Sequence, residues 1–273
     1  MKKTNLLLTS LTLFGLLSFS GCDSNASSSV GPLVDYEVIV KTISDRRVGD
    51  VTVELYKDDK LVESAVTNFI GKAVINAPQD TYRVELKNLP AGVFYETDFE
   101  ISGNPGQYTF ECMTKVIDGE KPEDLTYQFG DLVYDFTLTD SEGEKFTLSE
   151  CFENGKSLVV LNFWATWCGY CVQEFPHFNK ANNIYGEDIE ILALTVEARD
   201  TNAVINEFKE DKNINFRMAR DINAEMYLSF GFGGSIPATV IINKYGEVEY
   251  NEVGMFDEDS LLTLIDESLQ YFV

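Results

Sequence analysis

Two cysteines three residues apart, Cys168 and Cys171, are the side chains of this sequence best suited to covalent chemistry. Sulfur exchange needs a thiolate to attack and a second thiol close by to release the product. The pair follows the apolar run Ser157-Leu158-Val159-Val160-Leu161-Asn162-Phe163 and precedes a helix-compatible segment from Val172 onward. Its expected place is therefore the corner where a buried strand hands over to a helix N-terminus, with Trp164 and Trp167 beside it. The first amides of a helix have no internal partners and the macrodipole is positive there, so a thiolate at Cys168 would be stabilised. Cysteines so placed in Cys-x-x-Cys have pKa values of roughly 3.5–7.5, against ~8.5 for a free thiol. Cys168 is the expected nucleophile and Cys171 the resolving thiol, on one face of the first turn and close enough to close a disulfide. A structural zinc site would need four ligands. The chain has one histidine, His177, and no second Cys-x-x-Cys pair, so no metal site is expected. A purely structural bridge at an exposed corner would add little loop-closure entropy.

The elements that must hold this pair fill the second half of the chain. Ile189-Glu190-Ile191-Leu192-Ala193-Leu194-Thr195-Val196 is nearly continuous in apolar character, as for a strand buried on both faces. Thr201 is a plausible N-cap for a helix with Ala203, Val204, Ile205 and Phe208 as its stripe. A short strand near 216–218, a helix around Asn223 to Phe230 and a last helix over about Asp257 to Tyr271 follow. Strand–helix alternation of this kind predicts an α/β sheet with helices on each side. From about Leu33 to Cys112 the apolar period is two instead, with Val51, Val53 and Leu55, then Tyr82, Val84 and Leu86, then Tyr108 and Phe110. Turn signals at 57–60, 76–80 and 104–106 separate them, so this part reads as a small antiparallel sandwich. The expected organisation is a targeting segment 1–21, a flexible Ser-rich tether 22–32, a β-sandwich domain 33–112, a linker 113–127 and the α/β domain 128–273.

Length allows two modest domains, since the chain has 273 residues. Its formal net charge of −24 argues against nucleic acid as a partner and fits a solvated acidic surface. Lys2 and Lys3 precede an apolar stretch, Leu6 to Phe19, too short for a comfortable membrane span.

Several separated motifs resemble known families. Leu161-Asn162-Phe163-Trp164-Ala165-Thr166-Trp167-Cys168-x-x-Cys171 resembles the thioredoxin superfamily, in particular its extracytoplasmic TlpA/ResA-like branch. Glu174-Phe175-Pro176 after the second cysteine and Ile236-Pro237-Ala238-Thr239 before the strand Val240-Ile241-Ile242-Asn243 agree with it over 128–273. The resemblance implies a thioredoxin-like fold, a central mixed sheet flanked by helices, with Pro237 in a cis-proline loop facing the cysteines. There Ile236 would offer backbone groups to a substrate chain, with Trp167, Gly169 and Tyr170 beside it. Glu174, one turn past Cys171, could shuttle a proton to Cys171 if buried, or be a solvated helix residue. Asn162 stands where ordinary thioredoxins have a buried aspartate. His177 reads as a surface helix residue. The sandwich region resembles Cna-B/prealbumin-like surface domains, with spacing or docking as its expected role.

Phe19-Ser20-Gly21-Cys22 resembles a lipobox, although Phe19 departs from its usual aliphatic residue. Cys22 is then the lipidated N-terminus that anchors the protein to a membrane face outside the cytoplasm. An ordinary cleaved signal is the alternative. Cys112 and Cys151 are left over, either as a disulfide joining the two domains or as isolated buried thiols.

The implied function is a membrane-tethered thiol:disulfide oxidoreductase whose only redox group is the Cys168–Cys171 pair, with no bound cofactor. Its implied substrates are disulfides of exported proteins, apocytochrome c among them, and its implied electron donor a CcdA-like membrane thiol carrier. Gly169-Tyr170 is shared with some disulfide isomerases, so the oxidising and isomerising directions stay open, as does a surface binding protein with a thioredoxin-like docking module.

Overall fold

A computed structural model describes residues 31–270. The expected targeting segment, Cys22 and most of the expected tether lie outside the described residues. Among the described residues no helix is long and apolar enough to cross a membrane.

The first half holds eight strands: β1 (Leu33–Thr42), β2 (Thr52–Lys57), β3 (Lys60–Val66), β4 (Lys72–Pro78), β5 (Tyr82–Lys87), β6 (Val93–Phe94), β7 (Phe99–Ile101) and β8 (Gly106–Thr114). They form two sheets, ordered β4-β1-β8-β6 and β3-β2-β5-β7. Period-two patterning places Val38, Val40, Val53, Leu55, Val84 and Leu86 in the core between them. The β2–β3 hairpin turns on Asp58 and Asp59, both at positive φ (50° and 58°), as a two-residue turn of this hand requires. One expectation needs correction, because β1 pairs parallel with β8. These are the first and last strands of the sandwich, so no short hairpin forces them antiparallel, and both run toward the second half.

That half opens with the hairpin β9 (Thr137–Thr139) and β10 (Lys145–Thr147), followed by α1 (Leu148–Glu153), β11 (Leu158–Trp164), α2 (Gly169–Tyr185), β12 (Ile189–Thr195), α3 (Asn202–Asp211) and β13 (Arg217–Arg220). A 3₁₀ turn over Ile222–Ala224 leads into α4 (Glu225–Ser229), and β14 (Ala238–Asn243), β15 (Val248–Val253) and α5 (Glu258–Gln270) complete it. The sheet order is β13-β12-β11-β14-β15. β11 to β13 run parallel, and β14 and β15 antiparallel to their neighbours. All seven residues of the central strand β11 are buried. Leu158, Val160 and Trp164 face one core with Phe175, Phe178, Leu261 and Ile265 of α2 and α5. Val159, Leu161 and Phe163 face the other, with Leu148 of α1 and Tyr227 of α4. The Thr201 N-cap holds, its side chain accepting from the Val204 amide at 3.4 Å. The helix expected from Asn223 to Phe230 is shorter, because Asn223 and Ala224 both sit at positive φ and break its start.

Residues 113–127 are not a loose connector. β8 continues to Thr114, Val116 is buried in the core of the second half, and so is Tyr127. The Ile117 amide donates to the Val133 carbonyl and the Asp135 amide to the Ile117 carbonyl, both at 2.9 Å. Leu132 in turn packs into the sandwich core. The β14–β15 turn closes this junction. Gly246 sits at φ 78°, and a Cβ there would lie 2.5 Å from the Val116 nitrogen. Beside it the buried Glu247 accepts hydrogen bonds from Ser44 Oγ at 2.8 Å and Thr114 Oγ1 at 3.4 Å.

A disulfide between Cys112 and Cys151 is also overturned, since both thiols are free. Cys112 lies on β8 inside the sandwich core, whereas Cys151 lies on α1 against the core of the second half. The two therefore belong to different cores. Burial pushes each thiol up to about 11, which leaves it protonated and inert at neutral pH.

Candidate active site

β11 ends at Trp164, and a turn closed by the Cys168 amide on the Ala165 carbonyl (3.0 Å) delivers Cys168 as the N-cap of α2. Its backbone is extended (φ −80°, ψ 99°), and its Sγ accepts from the Cys171 amide at 3.2 Å. A sulfur at this position takes the place of the oxygen that caps most helices and satisfies one of the orphan amides. Cys168 and Cys171 are joined in a disulfide, with Cα atoms 5.3 Å apart. Contrary to the expected exposed corner, both cysteines are buried, Cys168 at 5 % exposure and Cys171 at 0 %. What faces solvent is the flanking aromatic pair, Trp167 at 64 % and Tyr170 at 65 %. The helix runs on through Pro176 to Tyr185.

The Ile236–Pro237 bond is cis. β14 starts at the next residue, and the pairing of Ala238 with Phe163 sets this loop against the end of β11. The Ile236 carbonyl oxygen lies 3.8 Å from Cys168 Sγ. A second peptide laid along this loop would thus bring its own sulfur to Cys168.

Glu174 is fully buried on α2. Asn162 Nδ2 donates to its Oε1 at 2.8 Å and the Phe256 amide to its Oε2 at 3.1 Å. Burial pushes this carboxyl up to about 7, against the lowering effect of those two donors. An acid poised near neutrality one turn from Cys171 is suited to proton transfer at the pH where exchange runs. Asn162 is the neutral residue that makes this possible, since an aspartate there would crowd a second negative charge against Glu174. His177, by contrast, stands 4.0 Å from Glu258 on the side of α5 and takes no part in the site.

Sequence reasoning missed the loop after β12. Trp167 Nε1 donates to Glu197 Oε2 at 2.8 Å, and Arg199 grips the same carboxylate through Nε at 2.8 Å and Nη2 at 3.0 Å. These bonds hold the Glu197 carboxyl down at about 2, with Arg199 as the main cause. Asp200 reaches Thr166, two residues before Cys168. The signal lay in the sequence as Glu197-Ala198-Arg199-Asp200, but only tertiary pairing of β11 with β12 brings it to the cysteines.

A disulfide-bonded cysteine pair capping a helix at the end of a central strand, opposite a cis-proline loop, defines a thioredoxin-fold protein. In agreement, residues 129–251 match the AhpC/TSA family. The thiol-disulfide oxidoreductase ResA of Bacillus thuringiensis (strain Al Hakam) is 32% identical over 135 residues, which are 49% of this chain and 75% of that protein. The ResA of Geobacillus thermodenitrificans (strain NG80-2) is 32% identical over 133 residues, 48% of this chain and 73% of that one. Among solved structures, the pneumococcal exposed lipoprotein thioredoxin of Streptococcus pneumoniae aligns with a TM-score of 0.43 at 24% identity, covering 49% of this chain and 98% of that one. The chain belongs to the ResA family of thiol-disulfide oxidoreductases. The matches to both relatives span about half of the chain.

Proposed function

We propose that the protein is an extracytoplasmic reductase of protein disulfides, anchored by lipid on Cys22, with Cys168 as nucleophile, Cys171 as resolving thiol and Glu174 as proton carrier. In the dithiol form the Cys168 thiolate attacks one sulfur of a substrate disulfide, forming a mixed disulfide and expelling a substrate thiolate, which takes up a proton. Glu174 accepts the proton of Cys171. The Cys171 thiolate then attacks Cys168 Sγ, closing the enzyme disulfide and expelling the second substrate sulfur as a thiolate, and the proton held by Glu174 is returned to it through solvent. Two electrons pass from enzyme to substrate, and a CcdA-like membrane thiol carrier would restore the dithiol. The substrates are exported proteins, apocytochrome c among the candidates. Trp167 and Tyr170 offer apolar contact to the chain around the target cysteine, and the Ile236 carbonyl offers a backbone acceptor.

The observation that carries this reading is a cysteine sulfur capping a helix 3.8 Å from a backbone carbonyl that a substrate strand could share. Insulin reduction tests it. Wild type with dithiothreitol should precipitate the insulin B chain, and Cys168→Ser should do so no faster than dithiothreitol alone. Equal rates would sink the assignment. Equilibration with glutathione fixes the direction, because a potential well below about −200 mV favours reduction and one near −120 mV favours oxidation.

A further inference from the structure

Asp200 lies between β12 and α3, is 3 % exposed, and directs both carboxylate oxygens at neutral donors. Thr166 Oγ1 donates to Oδ1 at 2.6 Å. The Thr166 amide and Thr195 Oγ1 donate to Oδ2 at 3.0 Å and 2.7 Å. Thr195 Oγ1 in turn accepts the Glu197 amide at 3.2 Å, which ties this network to the carboxylate that holds Trp167. A buried carboxylate is costly unless its lone pairs are filled, and a neutral side chain could fill the same space more cheaply. The hydrogen bonds that offset this cost come from Thr166 and from Thr195 at the end of β12, with the Arg199 charge acting on the same carboxylate. Thr166 sits inside the turn from Ala165 to Cys168, between the end of β11 and the sulfur that caps α2.

We propose that Asp200 is a positioning residue for the exchange reaction. Through Thr166 it holds the turn 165–168 so that Cys168 Sγ stays aimed at the free amides of α2, and so sets how readily Cys168 ionises once the disulfide is open. The claim rests on reading Cys168 as the attacking thiol, a reading that fails separately if Cys168→Ser still reduces insulin. Looser aim weakens the stabilisation of the thiolate by the helix end. The reduced form is then less favoured, and the disulfide becomes harder to reduce.

Two nearly isosteric variants test this while leaving the carboxylate in place. Thr166→Val removes the hydroxyl donor at the turn, and Thr195→Val removes the donor that fixes Asp200 from β12. In the reduced full-length protein, alkylation of Cys168 at pH 7, followed by mass spectrometry, should slow by about tenfold in each as the reactive form retreats to higher pH. Equilibration with glutathione should shift about tenfold toward the disulfide, which is about 30 mV for a two-electron couple. The double variant should shift less than the sum of the two, because both act through one carboxylate. Variants that melt earlier yet keep the wild-type pH profile and potential would overturn the proposal and leave Asp200 a purely structural residue. Thr166 is only half-buried, so its variant keeps the test open should the buried Thr195→Val fail to fold.

Discussion

The five-stranded sheet has two ends, and a buried glutamate marks each. At one end Glu174 lies behind the disulfide, and at the other Glu247 lies against the sandwich. β14 runs from the first to the second, pairing Ala238 with Phe163 and Asn243 with Leu158. Glu247 accepts from two hydroxyls at one end of the sandwich sheet, Ser44 after β1 and Thr114 in β8, and its amide donates to Asn243 Oδ1 at 3.0 Å. Glu174 is likewise met by two donors, the Asn162 side-chain amide and the Phe256 N–H, and burial lifts it to about 7. The contrast separates two uses of a buried acid. On the function proposed above, one end changes state, with a bond that opens and a proton that moves. The other is built to hold, and it places the sandwich at the end of the sheet remote from the cysteines, where it cannot cover them.

The largest expected effect comes from breaking the end that changes state. Glu174→Gln should slow disulfide exchange by roughly 10²-fold, the usual loss on removing a positioned proton carrier. Stopped-flow tryptophan fluorescence after mixing reduced protein with a substrate disulfide measures it. A variant within twofold of wild type would remove Glu174 from the mechanism. Stability carries a second signature. The folded pKa of about 7 lies above the ordinary carboxyl value of 4.5, so between them the folded chain holds a proton that the unfolded chain has released. The stabilisation is full below about pH 4.5 and is lost as the pH rises from there through about 7, by about 3 kcal/mol at most. Urea unfolding of wild type at pH 5 and pH 8 should show this loss, and Glu174→Gln should show much less of it.

Breaking the holding end should do the reverse. Glu247→Ala leaves the buried Thr114 hydroxyl without its Glu247 acceptor, which should cost about 1–3 kcal/mol, whereas the exposed Ser44 keeps Thr42 and water as partners. It should also speed proteolysis within residues 113–127. Insulin reduction should be unchanged, because the junction lies at the far end of β11. Loss of activity in a folded Glu247→Ala protein would show that the two ends are coupled and that the comparison fails.

Much of this was legible in the residues, and what was not has a physical cause. Continuous apolar runs gave β11 and β12, because strands buried on both faces leave no polar alternation. Cys168-Gly169-Tyr170-Cys171 marked the site by its spacing, and Ile236-Pro237, whose bond is cis, through the resemblance to thioredoxin-like sequences. The period-two pattern showed β2, β5 and β8 but not the short β6 and β7, and the parallel pairing of β1 with β8 was not readable, since period two carries no direction. Residues 113–127 looked like a linker on their charge and glycine content, yet Val116 and Tyr127 were the apolar residues that anchored it. Asp200 was invisible for a similar reason. It is 32 residues from Cys168 in the chain, and only the parallel pairing of β11 with β12 brings it to Thr166.

The smallest expected effect separates the working sulfurs from the idle ones. Cys112 and Cys151 lie in different cores, and burial pushes both thiols up to about 11. Cys151→Ser should therefore leave the exchange rate and the glutathione equilibrium unchanged. It should cost about 1 kcal/mol or less, because the site is only partly buried and the hydroxyl can keep contact with water. Non-reducing peptide mapping of the wild type should recover Cys112 and Cys151 as free thiols and Cys168 linked to Cys171. A Cys112–Cys151 peptide in that map would require α1 or β8 to leave its core, which would break the separation between an end that reacts and a junction that only holds.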